Sequence, residues 1–596
     1  MNVADFIIKY LAEKGVDTVF MITGGQAMFL NDAVFRNKKI APIFTHHEQA
    51  AGMAAEAFGR ISGKIGVAMV TAGPGAINVL NGVVGAWADS APMLVLSGHS
   101  SLANVDYMEK SKIRQIGLQG INVKPFAKPI TKYFKTVDDP AKILYYLEKA
   151  FYLATNGRTG PVWLEVPLDI QRMEVPEKIL ERFNSPTRSD LQGMTKADVL
   201  KTISLIYKSQ RPLILVGQGV RIAGAQDSFL QFMRKTNVPV ITTRLGIDLI
   251  ESDNRLFVGR PGLYGDRAGN FAVQNADLII AVGARLDTGI VGYDAGDWGR
   301  NAKKIVVEID PEELDKPGIK IFLKIRSDAN LFFKTINSKL TKNRMGDFKQ
   351  WIATCADWKK KYPMVLPKYY KEKPVNSYLF TEKLSEAASS HDTIVIDTSS
   401  CFHVSCQTWK VKRGQRFLTT GGISTMGYWV AATGACMAKG RDRTIVITGD
   451  GSLQMNVQEF ATLKQNRLPI KVFVLNNNGY LLIRHTQKTH LGGRLMGESP
   501  KTGLWCPNPL EIAKAYEIKS FDIQRTFGME KIIKEALAWP GPVICNVASP
   551  QWQLIIPRVA SEKRPDGSFF SKPYEDMFPF LSPDELASNM LSKDRQ

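Results

Sequence analysis

Short apolar runs alternate with amphipathic stretches along most of the chain, and they form three groups. The first contains IGVAMV, PMLVLSG and PVWLEVP, the second RPLILVG, VPVITT, LIIAVG and KIVVEID, and the third TIVID, TIVITG, IKVFVL and PVICNVAS. Continuous apolar runs separated by helices are typical of parallel strands that are buried on both faces. The pattern predicts an α/β protein with three doubly wound parallel-sheet domains.

Proline-rich or polar joints near residues 175–190 and 341–375 separate the three groups. We predict domains at 1–178, 190–342 and 372–550, each about the size of one hydrophobic core. Residues 551–596 show little periodicity and predict a C-terminal tail, which either wraps over the surface or lines an active-site mouth.

Composition changes this picture little. With 44% hydrophobic and 22% charged residues, the chain of 596 residues is typical of a globular protein. The net charge of +20 is spread among acidic residues and forms no basic helix, so we expect no nucleic-acid partner. The excess of lysine and arginine indicates a solvated surface or, alternatively, attraction of an acidic ligand.

The six cysteines form no CxxC pair, which fits neither a disulfide framework nor a zinc site. The first twenty residues predict an amphipathic helix and a strand and lack the regions of a signal peptide. No apolar run reaches the ~20 residues that a bilayer requires. We therefore expect a cytoplasmic protein without a membrane partner.

The most specific chemical signal is the sequence GDGS after the strand TIVIT, followed by NNNG after the next strand. Asp450 and Asn477, 27 residues apart, are predicted at the carboxyl ends of successive parallel strands, the edge where open α/β sheets bind ligands. A carboxylate, an amide oxygen and the Gly479 carbonyl make an oxygen-rich set that suits Mg²⁺.

A second signal is the segment HHEQAAGMAA, which predicts a helix rich in small residues that begins at Glu48. A carboxylate entering such a helix is costly to desolvate unless it is paired. Taken alone, it is an ordinary acid at a helix N-terminus.

Together these motifs resemble thiamine-diphosphate (ThDP) dependent enzymes, in particular acetolactate synthases. The resemblance implies that Asp450, Asn477 and the Gly479 carbonyl hold Mg²⁺ and that Glu48 hydrogen-bonds the aminopyrimidine ring of ThDP, so that the cofactor can lose a proton and act as a nucleophile. It also implies cofactor contacts from the residues around the two strand ends: Gly449, Gly451, Ser452, Tyr480 and Leu481.

The segment TTGGISTMGY is similar to the family's SGGLGTMGFG. The resemblance implies that Met426 wedges between the two rings of ThDP and that the Ser424 carbonyl accepts from the aminopyrimidine. Upstream, DTSSC follows the strand TIVI where acetolactate synthases usually have GQHQ, and we choose Ser400 and Cys401 there, by position, as phosphate contacts.

In the first domain, TGGQA and TAGPGAIN match the family's PGG and SGPGATN loops, and LQG stands where the family has FQE. Gly25, Thr71, Pro74 and Asn78 are thereby candidate cofactor contacts, and Gln119 is a candidate substrate contact. In the middle domain GQGV, GARLD and IDP are similar to loops that bind FAD in acetolactate synthases, so FAD is possible, whereas related decarboxylases lack it.

The chain departs from the family on the side of the acceptor substrate. The family's RFDDR, whose second arginine clamps the acceptor carboxylate, reads Arg285-Leu286-Asp287-Thr288-Gly289, so this arginine is missing. Thr486 stands where the family has a tryptophan, and Arg484 or His485 beside it could still bind the acceptor. His99 replaces a glutamine and is a candidate substrate contact or acid/base, or else the cap of a loop.

We therefore expect ThDP- and Mg²⁺-dependent decarboxylation of a 2-oxo acid such as pyruvate, with transfer of the two-carbon unit to an acceptor. The alternatives are a carboligase that uses a keto-sugar nucleotide or an aldehyde, a simple decarboxylase, and a non-catalytic binding protein of the same fold. Ile483 stands where pyruvate decarboxylases carry a glutamate, which disfavours release of an aldehyde. The resemblance implies a homodimer or homotetramer with active sites at the dimer interface.

Overall fold

The computed structural model describes residues 1–176, 181–186, 194–341, 344–564, 566 and 569–591. They contain three six-stranded parallel sheets, which confirms the predicted α/β class. The predicted boundaries at 178, 190 and 342 lie outside the described residues. Within the described ranges, no helix combines the length and the apolar character that a transmembrane helix needs.

The first sheet has the order β2-β1-β3-β4-β6-β5. Successive strand residues enter two different cores: Val67 and Met69 pack with α1, α2 and α8, whereas Ala68 and Val70 pack with α3 and α5. This alternation explains why the strands are continuously apolar. The elements are β1 Thr18–Met21, β2 Ala41–Phe44, β3 Gly66–Val70, β4 Met93–His99, β5 Tyr133–Thr136, β6 Pro161–Pro167, α1 Val3–Glu13, α2 Met28–Arg36, α3 Glu48–Ser62, α4 Pro74–Asn78, α5 Leu80–Ala88, α6 Leu102–Lys110, α7 Lys124–Ala127, α8 Ile143–Thr155 and α9 Leu168–Arg172.

The second sheet has the order β12-β11-β10-β7-β8-β9 and is likewise packed between two cores. Its elements are β7 Pro212–Val216, β8 Val240–Thr242, β9 Phe257–Gly259, β10 Leu278–Val282, β11 Lys303–Glu308, β12 Leu323–Arg326, α10 Lys196–Lys208, α11 Gln218–Ile222, α12 Gln226–Thr236, α13 Arg267–Asn275, α14 Thr288–Val291, α15 Pro311–Leu314, α16 Ala329–Lys339 and α17 Lys349–Lys361.

The third sheet has the order β14-β13-β15-β16-β18-β17. Its elements are β13 Thr393–Ile396, β14 Arg416–Thr419, β15 Thr444–Gly449, β16 Ile470–Asn476, β17 Lys519–Ile523, β18 Val543–Ala548, α18 Ser377–Ala387, α19 Ser400–Thr408, α20 Ala431–Ala438, α21 Asp450–Leu453, α22 Glu459–Gln465, α23 Leu481–His490, α24 Pro509–Ala515 and α25 Met529–Ala538.

The C-terminal tail is packed into the core of the second sheet. Val559, Tyr574 and Met577 join the same apolar cluster as α13 and α17, and Glu575 pairs with Arg300 at 2.7 Å. Its elements are β19 Arg558–Val559, β20 Ser561–Lys563, β21 Phe569–Ser571, β22 Met577–Phe578 and α26 Pro583–Ser588. The lack of periodicity therefore reflects short, irregular elements that complete a core.

The chain forms two compact units. Unit 1 comprises residues 1–187, 391–401 and 418–551, and unit 2 comprises residues 188–390, 402–417 and 552–596. In unit 1, α3 packs between α5 and α20 at backbone contact distance, since a β-carbon at Gly82 would overlap Gly52 and one at Gly434 would overlap Ala54. The small residues of α3 are therefore required by packing.

Each sheet has a topological switch point, where the connections leave two neighbouring strands in opposite directions. These points lie at β1 and β3, at β7 and β10, and at β13 and β15. Ligands of open α/β sheets bind beyond the carboxyl ends of such strands. The glycine loops and GDGS motif singled out from the sequence lie at these three edges.

Candidate functional site

The third sheet brings Asp450 and Asn477 to one edge, because β15 and β16 are parallel neighbours with Gly449 opposite Leu475. Asp450 Oδ2 accepts a hydrogen bond from the Gly479 backbone at 2.8 Å, and Oδ1 accepts from Gly451 at 3.0 Å. Burial raises the pKa of Asp450 to about 6, against the opposing effect of these backbone donors. The carboxylate is thus held rigidly at the strand end.

Asn477 carries the observation that points to a cation. Its side chain is 4% exposed, and its Oδ1 has no hydrogen-bond partner among the described residues. A buried acceptor without a donor costs about 1–3 kcal/mol, and a hard cation would satisfy it. Groups of three His, Cys, Asp or Glu side chains suited to a metal are absent from the described residues.

Arg484, on α23, shapes the loop that contains Asn477. Its guanidinium donates to the carbonyls of Asn477, Asn478 and Gln551 and pairs with Glu498. With its donors committed inside the loop, Arg484 is a positioning residue. The sequence offers Arg484 as a possible acceptor contact, whereas the structure engages its guanidinium with residues 477, 498 and 551, which only the tertiary structure brings together.

Asp397 is a residue that sequence reasoning did not select. It is fully buried at the end of β13, and its Oδ2 accepts from Ser452 Oγ at 2.7 Å and from Thr448 Oγ1 at 2.8 Å. Ser452 in turn accepts from the Gly427 backbone at 2.8 Å. The Ser452 hydroxyl therefore connects the GDGS turn with the Met426 turn.

Ser400 and Cys401 lie at the start of α19, at the same switch point as Asp450. Cys401 is 1% exposed, and burial, followed by the charges of Asp397 and Asp450, raises the pKa of its thiol well above the ordinary value. A neutral thiol is no strong nucleophile. The neutral thiol of Cys401 therefore suits a phosphate contact better than a nucleophile.

The Met426 turn is held in an unusual conformation. Ser424 has a φ of +48°, and Gly427 has a φ of +82°. Met426 itself is partly exposed, so its thioether is not simply core packing. Non-glycine residues in the left-handed region also include Gln119, Ser399 and Asn478, and all four occur in motifs predicted to bind ligand, as expected for functional sites.

The first sheet gathers the predicted residues of the first domain. Asn78 donates from Nδ2 to Glu48 Oε2 at 3.0 Å, and Glu48 Oε1 lies 3.3 Å from the position of a β-carbon at Gly75. Pro74 begins α4 beside them, and Gly73, with a φ of +63°, contacts the backbone of Gln119. Thr71 packs against Gly24, next to Gly25, and its buried Oγ1 has no partner in the described part of the chain.

The structure supports the loop-capping alternative for His99 over the substrate contact that the sequence favoured. The side chain is 2% exposed, its Nε2 donates to the Ile121 carbonyl at 3.0 Å, and its Nδ1 lies 3.1 Å from Ser100 Oγ. Both ring nitrogens are engaged. His99 therefore anchors the loop that presents Gln119.

A buried polar network connects helix α3 with the strand and turn that lead to Met426. Tyr428 donates from its hydroxyl to Glu56 Oε2 at 2.5 Å, and Arg60 Nη1 lies 2.9 Å from Glu56 Oε1 and 3.0 Å from the Thr419 carbonyl. Burial raises the pKa of Glu56, whereas Arg60 and the phenol act in the opposite direction. The family motif has phenylalanine where this chain has Tyr428, so the phenol is an addition.

The switch point of unit 2 is made of closely packed glycine loops. Gly219 donates from its backbone to the Gly283 carbonyl at 3.0 Å, and β-carbons at Gly217 and Gly219 would overlap Gly283. Arg285 and Leu286 follow in the left-handed region. Backbone of this kind can approach a nucleotide closely.

Comparisons with known proteins agree with this geometry. Three models of thiamine pyrophosphate enzymes match: the N-terminal TPP binding domain at residues 1–123, the central domain at 199–336 and the C-terminal TPP binding domain at 397–547. The probable acetolactate synthase large subunit of Methanocaldococcus jannaschii is 32% identical, over 92% of each chain. The chain belongs to the thiamine pyrophosphate enzyme family.

Other relatives of this family member are similar over nearly the whole chain. The acetolactate synthase large subunit of Lactococcus lactis is 31% identical over 93% of this chain and 94% of its own. The acetolactate synthase isozyme 2 large subunit of Escherichia coli is 29% identical over 94% and 99%. The protein is a ThDP-dependent, acetolactate synthase-like enzyme, which sets aside the non-catalytic alternative.

Proposed function

We propose that the enzyme uses ThDP and Mg²⁺ to decarboxylate a 2-oxo acid such as pyruvate and transfers the two-carbon unit to a second 2-oxo acid. The observation that carries this proposal is the buried, unpartnered Asn477 Oδ1 beside Asp450, at adjacent strand ends. The names of the relatives support the substrate class, since acetolactate is the product of two 2-oxo acids.

Asp450, Asn477 Oδ1 and the Gly479 carbonyl would hold Mg²⁺, and the backbone of Gly449 and Gly451 would approach the diphosphate. A β-carbon at Gly449 would meet only Cys401 Sγ, at 3.9 Å, which leaves space above this backbone. When bound, ThDP supplies the carbon nucleophile and accepts the electron pair that decarboxylation releases.

Glu48 would hold a proton at the aminopyrimidine ring nitrogen. The Asn78 amide donates to one of its oxygens and fixes the orientation of the carboxylate. Met426 and the Ser424 carbonyl would orient the pyrimidine, and Gln119, exposed on a loop anchored by His99, would contact substrate.

We also propose that the active enzyme is a homodimer or a dimer of dimers. Large apolar side chains are exposed next to the site loops of unit 1: Phe44 at 51%, Trp87 at 43%, Leu118 at 79%, Ile423 at 38% and Met455 at 45%. Apolar surface of this kind is typical of interfaces. Sedimentation that shows a stable, active monomer would contradict the proposal.

We also propose that FAD can bind at the sheet edge of unit 2, beyond the carboxyl ends of β7 and β10. The glycine loops at β7 and β10 offer backbone that a dinucleotide could approach. A purified protein with flavin absorbance supports binding, and a colourless protein that takes up no FAD contradicts it.

A cytoplasmic location is proposed from cysteine chemistry. All six cysteines have free thiols, and five of them are buried. Unpaired thiols persist in reducing compartments.

Product analysis tests the proposed reaction. Mass spectrometry of products from pyruvate with ThDP and Mg²⁺, alone and with keto-sugar or aldehyde acceptors, should show acetolactate from pyruvate alone. Acetaldehyde as the main product would favour the decarboxylase, and a product only with another acceptor would favour the other carboligase. No carbon dioxide from any small 2-oxo acid would contradict the proposal.

Glu48→Gln tests the proton role within the same assay. We expect a loss of turnover of roughly 100-fold or more, as for other positioned general acids and bases. Glu517→Gln is the matched control, because this glutamate is 83% exposed and pairs with Lys464 at the surface. Full activity of Glu48→Gln would contradict the role.

A further inference from the structure

Arg244 lies across the ligand edge of unit 2. It follows β8, and its Nη1 lies 3.7 Å from the position of a β-carbon at Gly289, on α14 after β10. Strand β7 lies between β8 and β10 in the sheet, so the side chain extends past the carboxyl end of β7. This is the switch point, where open α/β sheets bind their ligands.

The guanidinium of Arg244 is available to a ligand. Its Nη2 is buried without a hydrogen-bond partner among the described residues, and the side chain forms no ion pair within 4.0 Å in the described part of the chain. Its guanidinium carbon lies 5.1 Å from the centre of the Phe402 ring, a stacking contact that holds the plane of an arginine. Because the side chain as a whole is only partly buried, a ligand can reach it.

His403 supplies a second nitrogen beside Arg244. Its Nδ1 is likewise buried without a partner among the described residues, and its ring stacks on Tyr264 with the ring centres 4.0 Å apart. Burial, followed by the charge of Arg244, lowers the pKa of His403 well below its ordinary value. The imidazole is therefore neutral, and it can donate one hydrogen bond without adding a second positive charge.

An arginine next to a neutral histidine fits an anion with several oxygens. The guanidinium can donate two parallel hydrogen bonds to two oxygens of a phosphate, and the imidazole can donate to a further one. Glycine loops follow β7 and β10 at the same edge, and backbone of this kind can approach a diphosphate closely.

We propose that Arg244 and His403 form a phosphate site in unit 2, which binds the diphosphate of a nucleotide at the glycine loops. This inference rests on the proposed binding of FAD at this edge and names the part of the ligand that the side chains recognise. Free inorganic phosphate offers the same chemistry, so the experiment separates the two sources.

Calorimetric titration of the purified enzyme with FAD tests the site without turnover, after ThDP and Mg²⁺ have been loaded. We expect Arg244→Gln to weaken FAD binding about 10- to 100-fold, as for loss of a charged hydrogen bond. Arg244→Lys should weaken it less, because lysine keeps the charge but lacks the planar fork. His403→Phe keeps a ring next to Tyr264 and should weaken binding about 2- to 10-fold, as for loss of a neutral hydrogen bond.

Arg234→Gln is the matched control. Arg234 is exposed in the last turn of α12, which ends before β8 begins and hence at the opposite end of the sheet, so this variant should bind FAD as the unchanged protein does. Riboflavin has the flavin ring without a phosphate, and its affinity should be the same in every variant. ADP and inorganic phosphate are titrated in parallel.

FAD affinity of Arg244→Gln within twofold of the unchanged protein would overturn the inference, and so would an equal loss for FAD and riboflavin. If the glutamine variant does not fold, the same criteria apply to Arg244→Lys. An unchanged protein that binds ADP or inorganic phosphate through Arg244 but takes up no FAD would refute the FAD proposal and leave the phosphate site standing. Binding of none of these phosphates would overturn both.

Discussion

Among the described residues, the sheet edges of units 1 and 2 each include a buried polar atom without a hydrogen-bond partner, and these two atoms have opposite character. At the edge of unit 1, Asn477 Oδ1 is a buried acceptor without a donor. At the edge of unit 2, Arg244 Nη2 is a buried donor without an acceptor. The first suits a cation and the second an anion, which teaches that unpaired buried groups indicate both the place and the sign of a ligand.

The two edges also differ in how they relate to the family. Unit 1 keeps Glu48, Asp450, Asn477 and Met426 at the motif positions, whereas unit 2 lacks the second arginine of its motif. A metal requires several ligands in a fixed geometry, so its site tolerates little change.

The largest expected effect comes from removing Asn477 Oδ1, the unpartnered hydrogen-bond acceptor at the edge of unit 1. Asn477→Leu, close in size, should weaken Mg²⁺-dependent ThDP binding by roughly 100-fold or more, because it removes one metal ligand and places an apolar group against the ion. Thermal shift with ThDP and Mg²⁺ measures the loss, and melting without ligand shows that the variant folds. Unchanged cofactor affinity would exclude Asn477 as a ligand.

The smallest effect concerns the buried network of Glu56, Arg60 and Tyr428 behind the unit 1 edge. Tyr428→Phe keeps the ring and removes the hydrogen bond to Glu56, which should lower the free energy of unfolding by about 1.5–3 kcal/mol. Denaturant titration measures this change. A double-mutant cycle with Glu56→Gln should show coupling of about 0.5–3 kcal/mol, and additive effects would show that the hydroxyl and the carboxylate do not interact.

Much of the fold could be predicted because short-range sequence patterns indicate it. Apolar runs between helices predict buried parallel strands, and glycine loops after them predict ligand edges, which the switch points of all three sheets contain. The tail was harder, since Tyr574 and Met577 enter a core formed by residues more than two hundred positions earlier.

Residues whose partners are distant in sequence escaped prediction. Asp397 connects Thr448 and Ser452, and Arg484 binds Glu498 and the carbonyls of its loop. The sequence offers His99 as a substrate contact or acid/base because it stands where the family has a glutamine, yet the Ile121 carbonyl and Ser100 engage its ring.

By itself, the sequence determined the α/β class, the family and the residue types at the cofactor edges, because strand burial and ligand loops impose short-range patterns. Only the tertiary structure decided which polar atoms are paired and which are not. Pairing depends on side chains from separate strands meeting at one edge, and no local pattern records that Arg244 lies beside Gly289.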